Sequence, residues 1–144
     1  MTRIGPVLLA LLVIGAAGCA PEPPEPIVIE ITCDRFAADP GDQIIINRHV
    51  QAEVGTTIIL RLCDNPSTGF RWEDAGISDT TVVVESFRES LEPESTTAPG
   101  TPSLEQWTLD VVGEGECTIS FTYDRPWDGG EKGARQFNLY ITVV

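Results

Sequence analysis

The stretch Cys117-Thr118-Ile119-Ser120-Phe121-Thr122-Tyr123 alternates apolar side chains with small polar ones at every position. Successive side chains of a β-strand point to opposite faces of the sheet, so this alternation predicts a strand with one buried face. The end of the chain carries the same signal, with four apolar residues in phase, Phe137, Leu139, Ile141 and Val143. One-sided strands need a second apolar layer to cover them, which favours a sandwich of two sheets.

Six further segments have strand character, and turn residues separate them. The predicted strands lie at residues 27–31, 44–50, 58–62, 70–72, 81–87 and 104–112. Segments rich in Gly, Pro and acidic residues interrupt them at 39–42, 92–103 and 113–115. No segment has the apolar spacing of an amphipathic helix. The sequence therefore predicts an all-β fold, an immunoglobulin-like antiparallel β-sandwich.

Length and charge limit the classes of function. The chain has 144 residues and a formal net charge of -13, and this size suits one domain built on one core. An acidic balance argues against nucleic acid as a partner, because binding phosphates requires a basic patch. His49 is the one histidine and lies within a strand pattern, so we expect neither a catalytic triad nor a metal site. We expect no enzyme activity and no cofactor.

The N-terminus has the pattern of an export signal. Arg3 precedes a short apolar run at residues 7–14, and Gly15-Ala16-Ala17-Gly18 leads to Cys19. Small residues before a cysteine are typical of a bacterial lipobox, so we expect residues 1–18 to be removed and Cys19 to be lipidated. The alternative is an ordinary signal peptide that is cut nearby, with Cys19 incidental.

A proline-rich segment follows the expected lipidation site. Residues 20–26 read Ala-Pro-Glu-Pro-Pro-Glu-Pro, which is typical of a semi-rigid extended spacer. The predicted organisation is a signal at 1–18, a spacer at 19–26 and a β-sandwich domain at 27–144. We expect an exported monomer that is lipid-anchored to a bacterial membrane or cell surface.

Two segments between strands combine turn chemistry with exposed small or aromatic groups. The first is Asn65-Pro66-Ser67-Thr68-Gly69-Phe70, in which Pro66 fixes φ and Gly69 permits a positive φ. The second is Arg125-Pro126-Trp127, which places a large aromatic where no core needs one. In a sandwich of this topology both segments fall at the same end, as does the loop around Pro99-Gly100. Co-located loops of this kind suggest a binding edge, although a structural turn also explains the first segment alone.

Together these two segments resemble the chagasin family, protein inhibitors of papain-like cysteine peptidases. That family carries an Asn-Pro-Thr-Thr-Gly-Phe-like loop and an Arg-Pro-Trp loop on an immunoglobulin-like β-sandwich. In this chain Ser67 replaces the first Thr, and Arg125-Pro126-Trp127 is intact. The resemblance extends from about Ile27 onward and implies that the partner is a papain-like cysteine peptidase.

The resemblance also implies roles for individual residues. The loop from Asn65 to Phe70 is expected to enter the active-site cleft and cover the catalytic thiol. Asn65 and Thr68 are expected to supply hydrogen bonds, and Trp127 to anchor one side of the cleft. Pro126 would hold that ring in place and Arg125 would brace the loop. The full set of expected contact residues is Asn65, Pro66, Ser67, Thr68, Gly69, Phe70, Pro99, Gly100, Thr101, Arg125, Pro126 and Trp127.

The third loop departs from the family pattern. The family has a glycine-rich, Gly-x-Gly-Gly-like loop, whereas this chain has Pro99-Gly100-Thr101-Pro102-Ser103, with a single glycine. Because this loop is among the expected contacts with the peptidase, we expect the departure to affect the affinity and the choice of peptidase. An alternative from another class of function is a membrane-anchored, immunoglobulin-like adhesion or assembly module that has no peptidase target.

Three cysteines remain after the expected lipidation site, so at least one is unpaired within a monomer. Cys63 ends its strand beside the Asn65 segment, and Cys33 precedes the strand 44–50, whose start is expected at that same end. Cys117 lies in phase with Ile119 and Phe121, at the opposite end of its strand. We therefore predict a Cys33–Cys63 disulfide and a buried free thiol at Cys117, although Cys63 is out of phase with the buried face of its strand.

Overall fold

The computed structural model describes residues 18, 20–37, 41–92, 98 and 100–144 of the chain. Nine strands lie in this part: β1 (Ile27–Ile31), β2 (Ile44–Ala52), β3 (Thr57–Asp64), β4 (Arg71–Trp72), β5 (Gly76–Ile77), β6 (Val83–Leu91), β7 (Ser103–Val111), β8 (Gly115–Asp124) and β9 (Arg135–Val143). The helical elements in the same ranges are two short 3₁₀ turns, Cys33–Phe36 and Pro66–Thr68. The all-β prediction is confirmed. None of the described helices has the length and apolar character needed to cross a membrane.

The strands form two facing sheets. The first has the order β1-β3-β7-β6, and the second has the order β2-β9-β8-β4, with β5 also paired to β8. The inner faces carry the residues that the alternation selected, among them Leu60, Trp107, Phe121 and Phe137, none of which is exposed to solvent. The sandwich is therefore closed by the one-sided strands that the sequence predicted.

The expectation of purely antiparallel sheets is wrong for two strand pairs. β1 runs parallel to β3, and β2 runs parallel to β9. The physical reason lies in the connections: the chain leaves the first sheet after β1, forms β2 in the second sheet and returns for β3. Each crossing reverses the chain direction, so β1 and β3 point the same way within one sheet.

The boundaries of β6 also differ from the prediction. The strand begins at Val83 rather than Thr81, because Asp79 Oδ1 accepts hydrogen bonds from the Thr81 amide (2.8 Å) and hydroxyl (2.6 Å) and holds a turn there. A bulge between Glu85 and Phe87 then shifts the register and lets the strand continue to Leu91. The second half of this strand is mostly polar and does not alternate regularly between apolar and polar residues. The strand predicted from the sequence therefore ends too early.

One end of the sandwich is built around the 3₁₀ turn Cys33–Phe36. Cys33 and Cys63 form a disulfide with their Cα atoms 5.0 Å apart, and Cys117 is a buried free cysteine. The pairing is the expected one, but its cause is different: β1 lies parallel beside β3, with Ile31 opposite Leu62. The 3₁₀ turn contacts the end of β3 through this disulfide, and Cys63 is buried although it is out of phase with Leu62.

The two ends of the sandwich have distinct contents. β1 begins opposite Ile58, near the start of β3, and the chain from Pro24 approaches the turn at Gly55 and the C-terminal Val144. We call this the entry end. β3 ends at Asp64 on the other side, which we call the loop end. Residues 1–17 of the predicted signal, the expected lipidation site Cys19 and Pro99 lie outside the described residues.

Candidate functional site

The Asn65 loop (Asn65–Phe70) joins β3 to β4 at the loop end. Pro66–Thr68 forms a 3₁₀ turn, and Gly69 closes it in the left-handed region with φ 79°. The amide of Thr68 donates to the Asn65 carbonyl (3.1 Å), and the amide of Gly69 donates to the Pro66 carbonyl (3.1 Å). The backbone of the loop is thus held by its own hydrogen bonds, as the Asn-Pro and Gly positions predicted.

The side chains of the Asn65 loop add to this internal order. The Ser67 hydroxyl donates to Asn65 Oδ1 (2.7 Å), and the Thr68 hydroxyl donates to the Asn65 carbonyl (2.7 Å). The Thr68 hydroxyl also accepts from the Phe70 amide (3.4 Å), and each hydroxyl keeps a lone pair that can accept a bond from a partner. Pro66, Ser67 and Thr68 are exposed, so these small groups form the tip of the loop.

Direct contacts tie three loops into one surface. Asn65 Nδ2 donates to the Gly100 carbonyl (3.2 Å), and Arg125 Nε donates to the Thr68 carbonyl (3.3 Å). The Trp127 ring lies so close to Gly69 that a methyl group there would come within 2.6 Å of Trp127 Cη2. The expected meeting of the Asn65 loop, the Gly100 loop (residues 98 and 100–102) and the Arg125 loop (Arg125–Trp127) at one end is therefore found in the structure.

The Arg125 loop presents its tryptophan outward. Trp127 is 50% exposed, whereas Trp72 and Trp107 are buried in the core. The Arg125 guanidinium lies 4.4 Å from the centre of the Phe70 ring, so this arginine braces the Asn65 loop by a cation–π contact. Behind it, Lys132 Nζ donates to the Arg125 carbonyl (2.7 Å) and the Gly130 amide to the Trp127 carbonyl (3.0 Å). The loop is held by backbone contacts, and the indole, which lies against Gly69, stays half exposed.

Tyr123 of β8 lies directly beneath the Asn65 loop. Its hydroxyl accepts a hydrogen bond from the Asn65 amide (2.9 Å) and donates one to Asp64 Oδ1 (3.0 Å). Its ring stacks on Phe70 with the centroids 5.3 Å apart. The Arg135 guanidinium lies 4.9 Å from the Tyr123 ring centre and 5.1 Å from that of Phe36.

Burial shifts the titration of this hydroxyl and its partner. Burial raises the pKa of Tyr123 to about 12, although the Asn65 amide bond opposes the shift. Burial also raises the pKa of the Asp64 carboxyl, and the hydrogen bond from Tyr123 offsets part of that effect. Tyr123 is therefore protonated at neutral pH, and its hydrogen can donate to Asp64.

Residues 51–141 match the sequence profile of a family described as "Chagasin family peptidase inhibitor I42". The matched segment contains all three loops, six complete strands, β3 to β8, and most of β9. The chain belongs to the chagasin family. Members of this family are inhibitors of cysteine peptidases and not enzymes, so the expected absence of catalytic activity agrees with the family assignment.

Individual relatives of the chagasin family are distant in sequence. Amoebiasin-2 of Entamoeba histolytica is 29% identical over 86 residues, which is 60% of this chain and 69% of that protein. Chagasin of Trypanosoma cruzi is 27% identical over 90 residues, which is 61% of this chain and 82% of that protein. The solved structure of PbICP-C in complex with falcipain-2 aligns with a TM-score of 0.62 at 14% identity, over 82% of this chain and 99% of that one. This likeness shows that the fold is shared.

Sequence reasoning missed the layer that supports the loops. Asp64 and Tyr123 looked like a strand end and a core position, because nothing in the alternation indicates that a tyrosine hydroxyl reaches the neighbouring sheet. The sequence did not indicate that Phe36 and Arg135 support the loops, because the 3₁₀ turn that carries Phe36 has no periodic signal. His49, by contrast, stacks on Tyr140 between β2 and β9, which agrees with a strand position. The described residues contain no cluster of metal-ligating side chains.

Proposed function

We propose that the protein inhibits papain-like cysteine peptidases by inserting the Asn65 loop into the active-site cleft. In this arrangement the Gly100 and Arg125 loops contact the cleft walls on either side. The observation that carries the proposal is the bonding of the three loops to one another, through Asn65 to Gly100 and Arg125 to Thr68, into one protruding surface. The contact residues are those expected from the family resemblance, with Asn65, Ser67 and Thr68 also serving the internal order of the loop.

Preorganisation of the Asn65 loop supports this role. Two backbone bonds and two hydroxyl bonds fix its shape in the free protein. A loop that is already ordered loses little conformational entropy on binding, so more of the contact energy appears as affinity. A loop without these bonds would have to be ordered by the peptidase at the expense of affinity.

The charge distribution also favours insertion into a cleft. Residues 65–70 and 100–102 carry no charged side chain in a protein whose formal net charge is -13. Burying an unpaired carboxylate in an interface costs roughly several kcal/mol of binding free energy. The uncharged loop surface avoids that penalty. Arg125 is the one charged residue among the proposed contacts, and its guanidinium already lies on the Phe70 ring.

Trp127 is the proposed anchor beside the cleft. Its ring is half exposed and rests on Gly69, so it is presented in one orientation rather than freely mobile. Exposed tryptophans held in a fixed orientation are typical binding hot spots. Gly100 and Thr101 contribute on the other side, where the Thr101 hydroxyl is held by the Ala98 carbonyl (2.7 Å).

The proposed location is the outer side of a bacterial membrane or the cell surface, with lipid on Cys19 as the anchor. The chain enters the sandwich at the entry end, whereas the three loops lie at the loop end, so an anchor at residue 19 would leave the loops pointing away from the membrane. The eight residues of β3 span about 26 Å, and a seven-residue extended spacer adds about 22 Å. This separation supports access of a soluble peptidase to the loops.

The proposal is tested by titrating papain with the protein from residue 20 onward, as wild type and as Thr68→Arg. Thr68 is exposed at the tip of the loop, so the long charged side chain should abolish inhibition and leave the melting temperature nearly unchanged. The matched control is Thr142→Arg, the same change at an exposed position of β9, which should inhibit like the wild type.

Two outcomes would reject the proposal. The first is absence of inhibition at micromolar concentration by a wild-type protein with an intact circular dichroism spectrum, which would favour an adhesion or assembly module instead. The second is full inhibition by Thr68→Arg, which would exclude the Asn65 loop as the inserted element. We also propose that the protein acts as a monomer, and light scattering of the mixture should find one inhibitor for each peptidase.

A further inference from the structure

We infer that Tyr123 is a positioning residue that sets the shape of the peptidase-binding surface without contacting the peptidase. The inference rests on the proposed function, because it concerns how the Asn65 loop is held for binding. Tyr123 is only 2% exposed, so it is not available to a partner. Any effect of Tyr123 on inhibition must therefore act through the loops above it.

The hydroxyl of Tyr123 fixes the beginning of the Asn65 loop. It accepts from the Asn65 amide at 2.9 Å, at the point where β3 ends and the loop begins. The same hydroxyl donates to Asp64 at 3.0 Å, so it is bonded both to the last residue of β3 and to the residue that follows it. Tyr123 itself belongs to the second sheet, where it pairs with Arg135 of β9. One hydroxyl thus joins the two sheets at the base of the loop.

The ring of Tyr123 fixes the end of the same loop. Phe70 stacks on it with an interplanar angle of 16°, and the Arg125 guanidinium also lies over the Phe70 ring. A single side chain therefore contacts both the first and the last residue of the loop. Because Asn65 and Phe70 are five positions apart, these two contacts together define the width of the loop at its base.

Tyr123 also links the Asn65 loop to the Arg125 loop. It lies on β8, two residues before Arg125. Asp124, the residue between Tyr123 and Arg125, pairs with Arg71 of β4. The Asn65 loop is thereby attached to β8, the strand that leads directly into the loop with Trp127. This shared attachment to β8 explains how the two loops keep the contact between Gly69 and the Trp127 ring.

Tyr123→Phe is the variant that separates the hydroxyl from the ring. The ring and its stack on Phe70 remain, while the Asn65 amide and the Asp64 carboxylate both lose a partner. A loop that spends only part of its time in the binding-competent shape binds more weakly by that fraction, so we expect the inhibition constant to rise about tenfold. The weaker inhibition should appear mainly as a lower association rate constant, since the contacts in the complex are unchanged.

Two control variants isolate the positioning role. Tyr140→Phe removes the only other tyrosine hydroxyl of the chain, on the outer face of β9, and should leave inhibition unchanged. Ile119→Val removes one methyl group from the fully buried core and serves as a control for a modest loss of stability. An inhibition constant for Tyr123→Phe no higher than that of Ile119→Val would overturn the inference.

A measurement on the free protein keeps this inference separate from the proposed function. Hydrogen exchange at the Asn65 amide, followed by NMR, should be at least tenfold faster in Tyr123→Phe than in Ile119→Val, because the bond to the hydroxyl is gone. Unchanged exchange would overturn the inference even if the wild type inhibits papain. Faster exchange together with a wild type that does not inhibit papain would support the positioning of the loop and reject the peptidase as its target.

Discussion

At the scale of single residues, Gly69 brings the Asn65 loop into close contact with the Trp127 ring of the Arg125 loop. Gly69 has φ 79°, which an L side chain adopts only with strain, and its Cα faces the indole. The sequence predicted the positive φ from the turn pattern. It did not predict the contact with the indole, because Gly69 and Trp127 are far apart in the chain and only the meeting of β4 and β8 brings them together.

Gly69→Ala should strongly weaken inhibition, while the melting temperature should fall only as far as the backbone strain requires. A methyl group there would lie 2.6 Å from Trp127 Cη2, so the indole must move out of its position. The control is Gly55→Ala at the entry end, where φ is 94° and the nearest atom, Pro24 Cδ, is 3.7 Å away. Both variants carry roughly 1–2 kcal/mol of backbone strain, seen as a lower melting temperature. Equal inhibition by the two would show that the indole position is unimportant.

Trp127→Ala should weaken peptidase binding by about 2 kcal/mol or more, because a half-exposed ring held in a fixed orientation is typical of a hot spot. The melting temperature should change little, since the core tryptophans are Trp72 and Trp107. Binding is measured by titration of papain and folding by thermal circular dichroism. A variant that fails to fold would instead assign Trp127 to the core.

At the scale of elements, the end of β3 combines features that the sequence predicted with others that it could not. Alternation identified Ile58, Leu60 and Leu62 as buried, and strand directions brought Cys33 to Cys63. The parallel pairing of β1 with β3 was missed, because period-two alternation is the same in parallel and antiparallel strands. The two-residue strand β5 was missed because so short a segment has no period to detect.

Asp64→Asn should stabilise the protein at neutral pH. Burial raises the pKa of Asp64 above its ordinary value, so the folded protein binds that proton more tightly than the unfolded chain does. Ionisation of Asp64 at neutral pH therefore opposes folding, and stability rises as the pH falls through the folded-state pKa. Asparagine keeps an oxygen that accepts from the Tyr123 hydroxyl and carries no charge.

The advantage of Asp64→Asn should accordingly shrink as the pH falls, because the wild-type carboxyl becomes protonated in the folded state. Thermal unfolding of both proteins between pH 7 and pH 4 measures the difference. A wild type that is more stable than the variant at pH 7 would contradict the assignment and would mean that the carboxylate charge stabilises the loop base, through Arg135 for example.

At the scale of the whole molecule, the sandwich separates the chain entry from the binding loops. β1 starts at the entry end, and the three loops gather at the loop end. The co-location of the loops could be predicted from the number and order of strands, since those fix the end at which each connection lies. The hydrogen bonds that tie them together depend on loop conformations that no strand pattern specifies.

Cys19→Ser tests the anchoring of the whole molecule. The thiol is the group expected to carry lipid, so the variant should leave the membrane fraction or accumulate as an unprocessed precursor. Cell fractionation with labelled fatty acid measures both effects, and mass spectrometry locates the mature N-terminus. A mature wild-type protein that begins at a residue other than Cys19 would contradict the lipid anchor and favour ordinary secretion.

The catalytic thiol of papain should be protected in the complex, because the Asn65 loop is proposed to cover that thiol. Papain is mixed with one equivalent of the protein and treated with iodoacetamide, and the alkylated fraction is measured by mass spectrometry over time. We expect the wild type to slow alkylation to the rate at which the complex dissociates, and Thr68→Arg to leave it at the rate of free papain. Inhibition of papain by the wild type with alkylation at the undiminished rate would contradict it.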